Sequence, residues 1–212
     1  MSNISYDNNE KLLHRARHLW SAEVIQKSDG QGATIIIKRV PFRIKRNILF
    51  VVFIKHCIKR EGDFLREIMV RAPGISPKVL YAVKGELVME QIKGATLFEC
   101  CDKIKVQTEF YNKLKNTILK LHDLGIGHGE IRLGNIFINE AGEMLLVDFA
   151  QAVGRTNPLF KTIVTLDLLA LFWIKKNIFR LDLTSEEKAI EIAAPLINKF
   201  FDKFIAKDIP YS

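Results

Sequence analysis

The chain of 212 residues is 48% hydrophobic and 26% charged, the balance of an ordinary globular protein, which excludes disorder and fibrous repeats. No apolar run approaches the roughly 20 residues that span a bilayer; stretches such as Ile48 to Ile54 stop far short. A formal charge of +8 implies attraction to a polyanion, whether nucleotide, nucleic acid or anionic membrane, and does not choose among them.

The opening residues, Met1 to Trp20, carry neither the apolar centre nor the small-residue cleavage site of a secretory leader, so export is not expected. Cys57, Cys100 and Cys101 are an odd number, and the adjacent pair cannot close an ordinary disulfide without strain. Buried thiols in a reducing cytoplasm are the expectation.

In chain order, Ala22 to Gln26 and Ala33 to Val40 read as strands joined by the turn residues Lys27 to Gly32. From Lys38 to Arg60 there are eight basic residues and no acid: Lys38, Arg39, Arg43, Lys45, Arg46, Lys55, Lys59 and Arg60. Apolar residues from Phe42 to Ile58 interleave with them. A helix here is apolar nearly all round its middle turns and basic at both ends. That pattern permits lying on an anionic membrane and also suits a helix packed between two layers, the arrangement favoured here.

Asp63 to Val70 continues as helix, and Pro73 and Gly74 break it. Lys78 to Val83 and Glu86 to Gln91 read as a strand pair turning at Lys84 and Gly85, so the first ninety or so residues form a small antiparallel sheet with one covering helix. Beyond Gly94, Leu97 to Cys101 and Phe110 to Leu124 carry helical spacing, the latter ended by Asp123, Gly125 and Gly127. A short strand pair follows, Ile136 to Ile138 and Met144 to Val147. The rest is helical: Leu166 to Lys176, then a helix opened by Thr184 to Glu187, with Ile190, Ile192, Leu196, Ile197 and Phe200 as its apolar face. The predicted class is α+β, divided into residues 1–92 and 93–212.

The stretch His128-Gly-Glu-Ile-Arg-Leu-Gly-Asn135, then Asp148-Phe-Ala150 after a strand pair, carries the chemistry. Phosphoryl transfer needs a carboxylate to orient the attacking hydroxyl, here Glu130, and oxygen donors to hold Mg2+ against phosphates, here Asn135 and Asp148. His122 and His128 are spaced for no common metal site.

These segments resemble the catalytic loop and the Asp-Phe-Gly metal motif of the protein kinase superfamily. The resemblance extends over about residues 20 to 175 and implies a two-lobed fold using ATP and Mg2+. In it, the strand Ala33 to Lys38 carries the ATP-binding lysine, and Glu67 is that lysine's helix partner. Met89 guards the back of the adenine pocket, and the backbone of Glu90 and Ile92 meets adenine. Arg132 is the cation at the transferring phosphate, His128 is structural, and Asp167 is the buried helix aspartate that braces the catalytic loop.

Within the superfamily the chain is most similar to small atypical kinases: the RIO kinases, the kinase of the KEOPS tRNA-modification complex, and bacterial lipopolysaccharide core sugar kinases; the stretch from Asp148 through Leu166-Asp-Leu-Leu to Glu187 most resembles the bacterial lipopolysaccharide group. Three departures stand out. No glycine-rich loop precedes Lys38, although residues near Trp20 to Glu23 could cover the phosphates; Glu130 replaces the usual aspartate; and Ala150 replaces the usual glycine. The expected activity is transfer of the γ-phosphate to a hydroxyl of a protein Ser/Thr or a glycolipid sugar. The band from Arg43 to Arg60 would meet an anionic inner-membrane surface. A nucleotide-binding pseudokinase is one alternative, and an accessory kinase of a nucleic-acid-modifying complex is another.

Overall fold

The computed structural model describes residues 10–14, 22–28, 33–41, 48–83, 85–103 and 107–193. Arg43, Lys45, Arg46, Gly30, Gly32, Lys84, Trp20, Leu196, Ile197 and Phe200 lie outside them. The chain divides into two compact units, one of residues 1–70 and 77–91 and one of residues 71–76 and 92–212.

In the first unit, β1 (Glu10–His14), β2 (Glu23–Ser28), β3 (Thr34–Arg39), β4 (Val79–Val83) and β5 (Glu86–Glu90) form one antiparallel sheet in the order β1-β2-β3-β5-β4. Ile25, Ile37 and Val88 make its core, with Leu12 and Ile35 against them. The isoleucine and valine side chains, branched at Cβ, pack well on a pleated surface. The covering helix, α1 (Ile48–Arg71), buries Ile54, Ile58, Glu61, Gly62, Leu65 and Ile68. The steps of three and four between these positions define one helical stripe. At Gly62 the helix comes so close to the sheet that a Cβ would lie 2.8 Å from the Ala82 Cβ.

The helix differs from the two-layer expectation over its first two turns. Ile48, Leu49, Val52 and Phe53 are 74%, 78%, 60% and 53% exposed. They lie across the helix from the buried stripe, and one sheet can cover only one side of a helix.

The second unit is mainly helical, with α2 (Leu97–Cys100), α3 (Gln107–Asp123), α4 (Phe160–Asn177) and α5 (Ser185–Ala193). Its strands are β6 (Gly94–Thr96), β7 (Ile126–Gly127), β8 (Ile136–Asn139), β9 (Met144–Leu146) and β10 (Val153–Gly154), in a β6-β8-β9 sheet and a β7-β10 ribbon. Residues 71–76 group with this unit, where Ile75 is buried and its carbonyl accepts from the Leu146 N–H at 2.9 Å. α3 buries Tyr111, Leu114, Thr117, Ile118 and Leu121, and Gly125, at φ 81°, reverses the chain after it.

Thr184 and Glu187 form a reciprocal cap at the start of α5: the Glu187 N–H donates to Thr184 Oγ1 at 3.2 Å, and the Thr184 N–H to Glu187 Oε2 at 2.8 Å. Beyond the cap, Ile190 and Ile192 are exposed rather than forming the predicted apolar face. It is Glu187 of this helix that is buried, tied to α3 and α4 by polar bonds, and that contact sets the helix's inner side. The three cysteines are free and half-buried rather than buried.

Candidate active site

In the first unit Lys38 sits on the central strand β3, opposite Val24 of β2 and Leu87 of β5. Its Nζ lies 2.7 Å from Oε2 of Glu61, with the two side chains 12% and 1% exposed. The partner is therefore Glu61 and not Glu67. Six residues along a helix turn a side chain about 120° away, so the two acids cannot share a face. Glu61 belongs to the buried stripe, and Glu67 is exposed.

Met89 is half-buried on β5, opposite Ile36 of β3 and Val79 of β4. The Glu90 N–H is given to the Lys78 carbonyl at 2.9 Å and the Gln91 N–H to the Thr34 carbonyl at 3.3 Å. An adenine at this strand end would be met by the Glu90 carbonyl rather than its N–H. Ile92, half-buried, begins the chain's passage into the second unit.

In the second unit the loop from His128 to Asn135 is held from beneath by Asp167 of α4. Its Oδ2 accepts from the His128 N–H at 2.7 Å, and its Oδ1 from the Gly129 N–H at 2.9 Å. His122 Nε2 of α3 lies 3.0 Å from the same Oδ2. Charge-assisted bonds of this kind are the stronger ones, and Asp167 is buried with all of them made.

His128 is itself fully buried. Its Nδ1 accepts from the Glu130 N–H at 3.2 Å, so Nε2 carries the proton and donates to the Val147 carbonyl at 3.1 Å. Burial pushes its pKa below the ordinary imidazole value, against the opposing pull of Asp167 and Asp148. Its ring packs on Phe149, with centroids 4.6 Å apart. A neutral, doubly bonded imidazole is thus a strut for the loop.

The strut and the aspartate below it aim the functional groups. Asn135 is buried and donates from Nδ2 to the Glu130 carbonyl at 3.0 Å, which leaves Oδ1 as the acceptor end of its amide. Ile136 pairs with Leu146, and the Val147 N–H donates to the Asn135 carbonyl at 3.0 Å. This register brings Asn135 and Asp148 to one end of the β8-β9 ladder. Asp148 then adopts φ 65° and ψ 66°, a left-handed conformation uncommon outside glycine. Glu130 and Arg132 are both partly exposed, with Arg132 Nε 3.2 Å from Glu130 Oε1.

A five-stranded antiparallel sheet whose central lysine is ion-paired to one long helix, and a helical unit carrying a braced loop and a left-handed aspartate, define a two-lobed protein-kinase-like α+β fold. The chain belongs to the RIO domain family, which matches residues 39–185. It is 26% identical over 143 residues to the RIO-type serine/threonine-protein kinase Rio2 of Methanocaldococcus jannaschii, covering 64% of this chain and 53% of that protein. It is 32% identical over 71 residues to the serine/threonine-protein kinase rio2 of Dictyostelium discoideum, covering 34% of this chain and 13% of that one. The chain thus spans about half the length of the first relative and far less of the second. Among solved structures, the Rio2 kinase–ADP/Mg2+–phosphoaspartate complex from Chaetomium thermophilum shares its fold. That likeness has a TM-score of 0.67 and 16% identity, over 94% of this chain and 68% of that one.

Proposed function

We propose that this protein is an ATP- and Mg2+-dependent phosphotransferase acting on a hydroxyl. The observation that carries the reading is Asp148, a non-glycine residue kept left-handed at the end of the ladder that also holds Asn135. Strain of this kind persists where the surroundings over-determine it, and it gathers at functional sites. Family membership and the two Rio2 kinases among its relatives support the same reading.

The Asp148 carboxylate and the Asn135 Oδ1 are hard oxygen donors, the chemistry Mg2+ requires, and they are the residues that would hold it. When bound, the ion neutralises charge on the phosphates. Lys38, fixed by Glu61, binds the phosphate oxygens. Glu130 orients the acceptor hydroxyl and takes its proton as the new O–P bond forms and the bond from the γ-phosphorus to the bridging oxygen breaks. Arg132 offsets charge that develops on the transferred group. Met89, the Glu90 carbonyl and Ile92 receive the adenine.

For the acceptor, we favour a protein Ser or Thr hydroxyl, because the relatives are named serine/threonine-protein kinases. Nothing in the site or its relatives supports a lipopolysaccharide sugar. One observation favours a second reading, binding without turnover: Glu130 replaces the shorter aspartate and is tied to Arg132.

The test is transfer of labelled γ-phosphate from ATP with Mg2+, run alongside Asp148→Ala and Lys38→Ala. Label in protein from the wild type alone supports the phosphotransferase. Nucleotide binding with no transfer, unchanged in Glu130→Asp, supports the binding protein. Absence of nucleotide binding overturns both.

A further inference from the structure

The outward side of α1 is a feature that phosphotransfer does not use. Val52, Lys59, Asp63 and Val70 are spaced seven, four and seven residues apart, so at about 100° per residue they lie within about 40° of one line along the helix. Asp63 stands nine residues on from the buried Ile54, two and a half turns, which places this line opposite the buried stripe. All four are open to solvent: Val52 is 60% and Val70 77% exposed, and the Lys59 and Asp63 side chains are 74% and 50% exposed. Ile48, Leu49 and Phe53 widen the apolar patch at the Val52 end. Lys55 and Arg66 turn toward the sheet instead. Lys55 lies against the β4-β5 turn, where a Cβ on Gly85 would meet its side-chain carbons, and Arg66 donates to the Ala82 carbonyl at 3.2 Å. The line thus runs apolar, basic, acidic, apolar. A face of mixed sign is not the one that an anionic bilayer takes, where cationic side chains meet the headgroups.

Reversed, that order is its own complement. Val52 and Val70 are each nine residues from Glu61, and Lys59 and Asp63 are each two residues from it. One two-fold axis passing the helix at the level of Glu61 therefore sets Val52 against Val70 of a second copy and Lys59 against its Asp63, and repeats both contacts on the other side of the axis. Such mutual matching is what an isologous contact requires. Within the chain Lys59 Nζ already lies 2.6 Å from Asp63 Oδ2. In the pair, two lysines and two aspartates alternate around the axis, and a network of charges holds where a lone surface pair contributes little. We propose that this protein forms a reversible two-fold dimer through the outward side of α1, with the two helices antiparallel. The valines, with Leu49 and Phe53 beside them, close over each end of the charged centre. His56 and Glu67, both exposed and eleven residues apart, fall within about 20° of each other on one flank and form a polar rim that contributes little. A second copy is favoured over an unrelated protein because the shared centre of the two pairs is a property that only the same helix, reversed, can use. The contact draws on fewer residues than the roughly 20 per side of a standard interface, so the copies exchange.

The experiment is sedimentation equilibrium of the purified chain over a range of concentrations. Wild type, Lys59→Glu, Asp63→Lys, the exchange Lys59→Glu/Asp63→Lys and Val52→Ser/Val70→Ser are compared, and melting temperatures at low concentration verify the fold of each variant. The wild type should dimerise as concentration rises. Each single reversal places like charges across the axis and should raise the dissociation constant at least about tenfold, and the serine variant should do the same. The exchange should restore dimerisation, and so should an equimolar mixture of the two single reversals, in which every 59–63 contact again joins opposite charges. A wild type that stays monomeric at the highest concentration overturns the proposal. So do single reversals or a serine variant that dimerise undiminished, or an exchange that recovers nothing. A monomeric wild type that floats with phosphatidylglycerol vesicles would make the face a lipid contact and equally overturn it. None of these outcomes depends on phosphotransfer.

Discussion

Lys38 and Glu61 form a buried ion pair, 2.7 Å from Nζ to Oε2, between the central strand of the sheet and the inner face of α1. Two desolvated charges gain little net stability from each other, but removing one strands the other. Lys38→Ala should therefore destabilise the chain by about 3–5 kcal/mol, and the double change Lys38→Met/Glu61→Leu should recover most of it. Urea midpoints of the three proteins measure this. A double variant no more stable than Lys38→Ala would show that the pair is not a closed unit.

The same pair separates two acids of α1. Glu61→Gln should reduce stability and weaken the melting-temperature rise produced by ATP and Mg2+, because Lys38 loses its anchor. Glu67→Gln, at an exposed position, should change stability by no more than about 0.5 kcal/mol and leave the nucleotide response intact. Thermal shifts with and without nucleotide distinguish them; equal effects would reassign the anchor.

The signal for Glu61 was present in the sequence. Ile54, Ile58, Glu61, Leu65 and Ile68 are spaced four, three, four and three, so Glu61 occupies an apolar stripe and Glu67 does not. The loop from His128 to Asn135 and the segment from Asp148 to Ala150 were legible because their groups are close in sequence and joined by one hairpin. The bracing of that loop by Asp167 is what the family resemblance implies, and the leucines on either side of Asp167 accord with its burial. By contrast β1, β6 and the β7-β10 ribbon, whose two strands are of two residues each, escaped the sequence, because pairing across the chain defines them and local pattern does not. The outward tip of α1 escaped too. An apolar run states that burial is favourable, but not which half of the helix a small sheet can reach.

Asp167 accepts two backbone N–H groups that begin the loop and lies 3.0 Å from His122 Nε2. Asp167→Asn removes the charge and one acceptor, so at least one buried donor goes unpaired, at a cost of about 1–3 kcal/mol. Faster amide hydrogen exchange at His128 and Gly129, with α5 unaffected, is the expected signature. Phosphotransfer should fall through a lower kcat rather than a higher KM for ATP. Unchanged exchange at both amides would contradict the bracing role.

Glu187 joins three elements of the second unit. Its Oε2 lies 2.6 Å from Lys175 Nζ, and its Oε1 accepts from the Tyr111 hydroxyl at 3.0 Å. Burial pushes its carboxyl up, but bonds from Lys175, the Thr184 N–H and Tyr111 outweigh that and hold it below the usual glutamate range. Burial, with the glutamate beside it, pushes Tyr111 up. A carboxylate with a depressed folded pKa contributes stability above its unfolded pKa of about 4.3 and loses it as pH falls through the lower folded value. Glu187→Gln should thus lower the melting temperature at pH 7 and make the decline below about pH 4.5 shallower. Parallel acid limbs in the two proteins would remove Glu187 from the acid response.

Asp148 sets local stability against function. At φ 65° and ψ 66° an alanine pays the left-handed penalty of an L-residue, whereas a glycine does not. Asp148→Ala and Asp148→Gly delete the same carboxylate and every contact it makes, so their difference isolates the backbone. Glycine gives back part of its advantage through the wider freedom of the unfolded chain. Asp148→Gly should accordingly be more stable than Asp148→Ala by about 1 kcal/mol, or about 2–4 °C in melting temperature for a chain of this size, while both lose Mg2+-dependent phosphotransfer. If the alanine variant is equally stable, the left-handed conformation depends on the aspartate carboxylate and relaxes without it. If either variant retains transfer, a different residue holds the metal.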